Sequence, residues 1–286
     1  MIVVTGGTGR VGTQVVAQLR ERDLPVRVVS RTAGRTPAGV ETAGVETAGV
    51  EAVSADLADP ASLEPHLRDA DALFLLWPFI SAEVTAALAP QVAKIAARHV
   101  ARVVYLSAQP AGERPGSFWA LAEQAIEDSG VPWTFLRPTG FASNTLMWAD
   151  QIRSGDVVRW PFGAAARSLI DERDIAAVAV RALTQDGHAG SRYLLSGPAL
   201  LTQAEQLAAI GRALGRDLTW EELPRPAAQQ ALAAAWGDPG FAASALDTWE
   251  RFVTHPEAVT PAVREITGAP AHSFADWAAA NADAFR

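Results

Sequence analysis

The chain has no cysteine among its 286 residues, so it can form no disulfide, use no thiolate nucleophile and build no cysteine-ligated metal site. Lysine is almost as scarce, with Lys94 the only one in an arginine-rich sequence. Tyrosine occurs twice, and neither copy has a lysine four residues on: Tyr105 is followed by Gln109 and Tyr193 by Gly197, while Pro90 stands four residues before Lys94. That spacing excludes a Tyr-Lys pair, in which an ammonium lowers a phenol's pKa until it can exchange a proton near neutrality. The five histidines (His66, His99, His188, His255 and His272) lack metal-ligand spacing, so no metal site is expected. No apolar run is long enough to span a bilayer. The net charge of −8 comes without any basic stripe, which argues against nucleic acid or an anionic membrane as partner. The first strand-like run begins at residue 2, leaving no room for a leader peptide, and a cytoplasmic protein acting on a small molecule is expected.

What the chain does have is concentrated near its start. Thr5-Gly6-Gly7-Thr8-Gly9-Arg10-Val11-Gly12 follows an apolar run and leads into residues 13–19, which have helical periodicity. Gly7, Gly9 and Gly12 fit the spacing G-x-G-x-x-G between a strand and a helix. There the first glycine permits the tight turn, the second lets the backbone approach a pyrophosphate, and the third allows close helix–strand packing. The helix N-terminus adds unpaired N–H groups and a positive dipole end, so Gly7, Thr8, Gly9, Arg10, Val11 and Gly12 are the expected dinucleotide loop. The second strand, residues 26–29, closes on Ser30-Arg31. A site specific for NAD places an acid here to hold the ribose 2′-OH. None is present, and Arg31 and Arg35 can pair with a 2′-phosphate, so NADP(H) is expected in preference to NAD(H). A pair of solvated surface arginines is the other reading.

Strand-like and helix-like segments alternate through the first two-thirds, which predicts an α/β fold with a doubly wound parallel (Rossmann) sheet. Residues 1–197 form the expected dinucleotide-binding core, with residues 141–167 contributing to a substrate lobe. Residues 198–286 form the rest of that smaller, helix-rich C-terminal lobe, docked on the core. A tandem pentapeptide, Ala38-Gly39-Val40-Glu41-Thr42, recurs over residues 43–47 and nearly again over 48–52, and reads as a surface connection. Asp59 and Pro60 read as N-cap and first residue of a helix. In an open α/β sheet the ligand lies at the carboxyl ends of the strands, and those ends collect Thr8, Arg31, Asp56, Trp77, Ser107 and Pro138.

These residues resemble the NmrA-like branch of atypical short-chain dehydrogenase/reductases, and the resemblance runs along essentially the whole chain. It is carried by the glycine loop, Arg31, Asp56-Leu57 and the run from Glu127 to Pro138 (Glu-Asp-Ser-Gly-Val-Pro-Trp-Thr-Phe-Leu-Arg-Pro). Phe141 and Asn144, Asp174-Ile175-Ala176, the run from Tyr193 to Pro198 and the C-terminal Val263 to Gly268 and Ser273 to Trp277 extend it. The resemblance implies that Asp56 and Leu57 meet the adenine and that Trp77, Pro78 and Phe79 flank the nicotinamide-side ribose. It also implies that Phe141, Ala142, Ser143 and Asn144 reach the nicotinamide, with Ser107 and Pro138 lining the cofactor from the strand ends.

Members of this branch commonly lack the Tyr-Lys pair, and some still reduce quinones, azo or triphenylmethane dyes, or iminium compounds. The family often has a His or Lys facing the nicotinamide four residues before Glu123; here Trp119 stands there, as a flat apolar wall or as a core residue. Trp77, Trp119, Phe141 and Trp148 are the expected substrate pocket. Ser107 and Thr139 are the candidate catalytic hydroxyls, each with a plain capping or turn role as the alternative. Asp171, Glu172 and Asp174 stand at a helix start, where acids complement the dipole. The expected activity is hydride transfer from NADPH to a quinone, imine, iminium or enone. A NADP(H)-binding sensor without turnover and a non-redox isomerase or cyclase are the alternatives, and the choice between monomer and homodimer is open.

Overall fold

The computed structural model describes residues 1–31 and 49–286. In chain order the strands are β1 (Ile2–Thr5), β2 (Val26–Ser30), β3 (Val50–Ser54), β4 (Ala72–Leu76), β5 (Arg102–Leu106), β6 (Trp133–Pro138), β7 (Val157–Trp160), β8 (Ala166–Arg167), β9 (Ser191–Leu195), β10 (Leu201–Thr202) and β11 (Thr219–Glu222). The helices are α1 (Arg10–Arg20), α2 (Ala82–His99), α3 (Phe118–Asp128), α4 (Ala149–Ser154), α5 (Glu172–Thr184), α6 (Gln203–Leu214), α7 (Arg225–Trp236), α8 (Pro239–Thr254), α9 (Ala262–Thr267) and α10 (Phe274–Ala280). The chain divides into two compact units.

The first unit holds Met1–Pro138, Glu172–Leu195 and Ala262–Ala269. Its sheet runs β3-β2-β1-β4-β5-β6-β9 with every neighbour parallel, the doubly wound arrangement expected from the alternating pattern. Its central strands are apolar on both faces, as helices covering both sides of a sheet require: all four residues of β1 are buried. On one face Val3, Leu73, Leu75, Tyr105 and Phe135 pack with α2 and α3; on the other, α1 lies beside α5. Strand order reverses between β1 and β4, so the crevice of the sheet opens at their carboxyl ends. Thr5 fastens that point, its Oγ1 accepting from the Leu76 amide at 2.8 Å.

Two local expectations are corrected. Asp59 and Pro60 take the expected N-cap and first positions, but the segment is a 3₁₀ helix, Pro60–His66, and the Asp59 side chain makes no cap hydrogen bond. Pro65 inside it has no N–H to donate, and the turn is instead tied by Ser62, whose Oγ contacts the backbone of Asp56 and Asp59. Residues 262–269, placed in the C-terminal lobe by the sequence, belong to the first unit: α9 packs on α5 and β9, with Val263 buried and Arg181 donating to the Thr267 carbonyl.

The second unit holds Thr139–Asp171, Ser196–Pro261 and Pro270–Arg286. Its core gathers Trp148, Trp160, Ile210, Leu246, Trp249 and Trp277 beneath two small sheets, β7 with β11 and β8 with β10. Thr202 and Glu205 form a reciprocal capping box that starts α6, and Gly215 ends it in the left-handed region that glycine tolerates. Among the described residues no helix is long and apolar enough to cross a membrane.

Candidate nucleotide cleft and active site

In the first unit a cleft of about 250 Å³ lies at the carboxyl ends of β1, β2 and β4, and Thr8, Gly9, Arg31, Asp56, Leu57 and Pro78 line it. Gly6 takes the tight turn at φ 65°, a role the spacing had assigned to Gly7. Gly7 serves packing instead, since a Cβ there would lie 2.7 Å from Val28. A Cβ on Gly12 would lie 2.1 Å from the Gly6 carbonyl oxygen, so this glycine is what lets α1 start against the loop. The first N–H groups of α1, from Arg10, Val11 and Gly12, have no intrahelical acceptor, and no acid occupies the first turn. The Arg31 guanidinium is exposed and makes no hydrogen bond or ion pair among the described residues. Asp56 caps its own turn through the Ala58 amide at 2.9 Å, while Leu57 is buried against the core. Donors for a pyrophosphate and an apolar floor are the chemistry a nicotinamide adenine dinucleotide needs, and these residues fit one. Arg35 and the two pentapeptide copies over residues 38–47 lie outside the described residues, while the third copy runs into β3 from Val50.

Ser107 sits just past β5, 3 % exposed, and its Oγ donates to Glu123 Oε1 at 2.5 Å. Glu123, on the buried face of α3, is held from the other side by Arg137 at the end of β6: Nε reaches Oε1 at 3.0 Å and Nη2 reaches Oε2 at 2.5 Å. A serine hydroxyl carries one proton, and here it is committed to a carboxylate that is itself ion-paired. Ser107 therefore presents lone pairs, not a proton. Nearby Tyr105 is fully buried, its hydroxyl has no hydrogen-bond partner among the described residues, and burial first, then the Glu123 charge, pushes its pKa up. Tyr193, the other phenol, contacts His188 Nδ1 at 2.9 Å, and His188 shares a hollow with Arg102, the first residue of β5, and Pro132, which precedes β6. Sequence reasoning named Glu123 only as a landmark and passed over Arg137 as a site residue. The available signal was an acid between Ala122 and Ile126 on an apolar helix face, matched by an arginine in an apolar strand.

Thr139 opens the second unit, buried, with its Oγ1 donating to the Ser168 carbonyl at 2.7 Å. Phe141 bridges to Ile170 and leads into a 3₁₀ turn, Ala142–Trp148, in which Ala142 and Ser143 are buried and Asn144 is exposed. Two expected pocket tryptophans are core residues. Trp148 is 1 % exposed and packs edge-on against Trp220. Trp77 belongs to the core of the first unit, its indole N–H spent on Thr85 Oγ1 at 2.8 Å, and it does not line the cleft; Phe79 packs on its edge. Indoles in strand-following segments bury readily because their large apolar faces gain most from it. Trp119 is half-buried and lies against Phe118.

Comparison with known proteins agrees with this geometry. A family described as NAD(P)H-binding matches residues 6–186. The chain is 41% identical over its whole length, and 99% of the relative's, to a (4-alkanoyl-5-oxo-2,5-dihydrofuran-3-yl)methyl phosphate reductase of Streptomyces griseus. It is 34% identical, with the same coverage, to an NAD(P)H azoreductase of Xenophilus azovorans. Its fold is that of an Escherichia coli NADPH-dependent quinone oxidoreductase solved with NADPH, which overlays with a TM-score of 0.80 over 98% of this chain and 99% of that one at 24% identity. A Citrobacter triphenylmethane reductase overlays with a TM-score of 0.81, covering 98% of each chain at 18% identity. The chain belongs to the NAD(P)H-binding family. It is an NAD(P)H-dependent oxidoreductase.

Proposed function

We propose that the chain prefers NADPH and reduces a small, flat, conjugated electrophile of the quinone, imine or iminium, or enone type. The observation that supports this reading is the direction of the hydroxyl protons. Ser107 gives its proton to Glu123 and Thr139 gives its proton to Ser168, while Tyr105 is sealed in the core. None of these three hydroxyls among the described residues offers a proton, which favours a substrate whose reduced form spreads negative charge over its own heteroatoms and takes a proton from water.

Bound NADPH supplies the hydride. Gly7, Thr8, Gly9 and the first amides of α1 hold the pyrophosphate, Arg31 the 2′-phosphate, and Asp56 with Leu57 the adenine. In this reading Pro78 and Phe79 would hold the nicotinamide-side ribose, and Pro138 and residues 141–144 would hold the nicotinamide. Ser107 and Thr139 act as acceptors that orient N–H or O–H groups, and Trp119 supplies a flat wall. Catalysis in this reading is chiefly orientation and exclusion of water. The Streptomyces relative's named substrate fits the same class, because its alkanoyl-substituted oxo-dihydrofuran ring has a double bond conjugated to two carbonyls. Hydride on the ring carbon beyond that conjugation leaves a charge both carbonyl oxygens share.

The test is a panel: purified chain, NADPH, and a quinone, an iminium compound and an acyl butenolide. Multiple turnovers are expected with at least one, with deuterium from nicotinamide C4 delivered to a single product face. The double variant Tyr105→Phe/Tyr193→Phe should retain most of that activity. Cofactor binding with no turnover anywhere on the panel would overturn the proposal.

A further inference from the structure

Within the second unit a second cavity, of about 220 Å³, is bounded by β8, β10, α6 and the start of α10. Its wall is largely apolar, with Leu169, Leu201 and Phe274 on it, yet Arg167 and Arg212 also line it and no carboxylate does among the described residues. The two arginines differ in kind. Arg167 is fixed: Nη2 donates to Glu257 Oε1 at 2.7 Å, the guanidinium lies 5.1 Å from the centre of the Phe252 ring, and its buried Nε–H has no acceptor among the described residues. Glu257, itself 4 % exposed, also accepts from the Ser168 amide, so the pair is locked to the backbone. Arg212, exposed on α6, makes no hydrogen bond or ion pair among the described residues. One cation is thus held rigid and neutralised from behind, and the other is left uncompensated at the same cavity.

The position of Arg167 connects this cavity to the chemistry. A Cβ on Gly140 would lie 2.2 Å from Arg167 Nη2, so the guanidinium rests directly on the backbone that follows Thr139. That backbone is the segment assigned above to the nicotinamide. We propose that the cavity is a substrate subsite for an anionic group, a phosphate monoester on a short apolar body, with Arg212 as the recognising charge and Arg167 as its fixed companion. Guanidinium forks match phosphate oxygens, and the apolar wall accommodates the carbon skeleton that carries them. Calling the occupant a substrate rests on the reductase reading; the binding of the anion does not.

The experiment is calorimetric titration of the full chain, saturated with NADPH so that the cofactor's own phosphate-binding groups are filled, with n-butyl phosphate. One site per chain is expected, with no heat from n-butanol. Arg212→Gln should weaken binding about tenfold or more, the loss of one charge-assisted contact, and Arg212→Glu should abolish it. Arg212 is exposed, so both variants should melt with the unaltered chain. Absence of binding, or affinity unchanged in both variants, would overturn the proposal. Equal affinity for butyrate with the same dependence on Arg212 would overturn the assignment to phosphate. The titration involves no reaction, so failure of turnover would overturn the reductase reading alone.

Discussion

Replacing Glu123 by glutamine keeps the shape of the side chain and removes its charge. The carboxylate accepts three bonds, from Ser107 Oγ and from Arg137 Nε and Nη2, with its side chain 5% exposed and that of Arg137 20%. In Glu123→Gln the amide oxygen can still face Ser107 and Arg137 Nε. The amide NH₂ must then meet Nη2, donor against donor, and the guanidinium loses its counter-charge. Removing one partner of a buried pair costs about 3–5 kcal/mol. Two surviving acceptor contacts and the partial exposure of Arg137 put this variant at the lower end, about 3 kcal/mol. At roughly 2–4 °C per kcal/mol for a chain near this size, the melting temperature should fall by about 6–12 °C. Arg137→Gln should cost more, since it strands the more deeply buried group. The double variant Glu123→Leu/Arg137→Leu should cost less than either, because no buried charge remains to be paired. Urea titration of the cofactor-free chain gives all three values. Losses below about 1 kcal/mol in both single variants would refute the reasoning, because that is what an exposed ion pair is worth.

Arg31→Ala should weaken NADPH by about 1.5–3 kcal/mol, roughly 10- to 150-fold, and leave NADH nearly unchanged, since only NADPH offers a 2′-phosphate. Equal weakening of both in calorimetry would remove the assigned preference. His188 has its pKa lowered by burial first and then by the charges of Arg102 and Arg181. A depressed histidine pKa means the unfolded chain binds the proton first, so this contribution is complete above the ordinary histidine pKa and is lost as pH falls below it. Melting curves from neutral pH downward should therefore fall more steeply for the unaltered chain than for His188→Gln; parallel curves would contradict the assignment.

The glycine loop shows why one part of the site was legible early. Strand, turn and helix are contiguous, the spacing of Gly7, Gly9 and Gly12 is a local geometric requirement, and Arg31 follows directly from the end of the next strand. Even there the roles were redistributed: Gly6, not Gly7, takes the positive φ, and Gly7 is excluded from a side chain by Val28, a residue on another strand. The tryptophans were misplaced for a similar reason. Position after a strand puts Trp77 near the carboxyl edge, but whether its ring turns to the cleft or to Thr85 depends on α2, which sequence spacing does not orient. Trp148 was drawn into a core assembled from several separate stretches of chain.

By itself the sequence determined the parallel sheet, the nucleotide loop and the absence of a Tyr-Lys pair, because each is a matter of periodicity, contiguous spacing or composition. Only tertiary structure decided the state of the polar groups. Ser107 became an acceptor because α3 and β6 bring a carboxylate and a guanidinium to one point beside β5. Tyr105 lost its access to solvent because the sheet buries its hydroxyl, which has no partner among the described residues. Arg167 and Arg212, far apart in the chain, came to share a cavity because α6 packs beside β8 and β10. Proton direction, desolvation and the meeting of distant charges are properties of packing, and no local pattern encodes them.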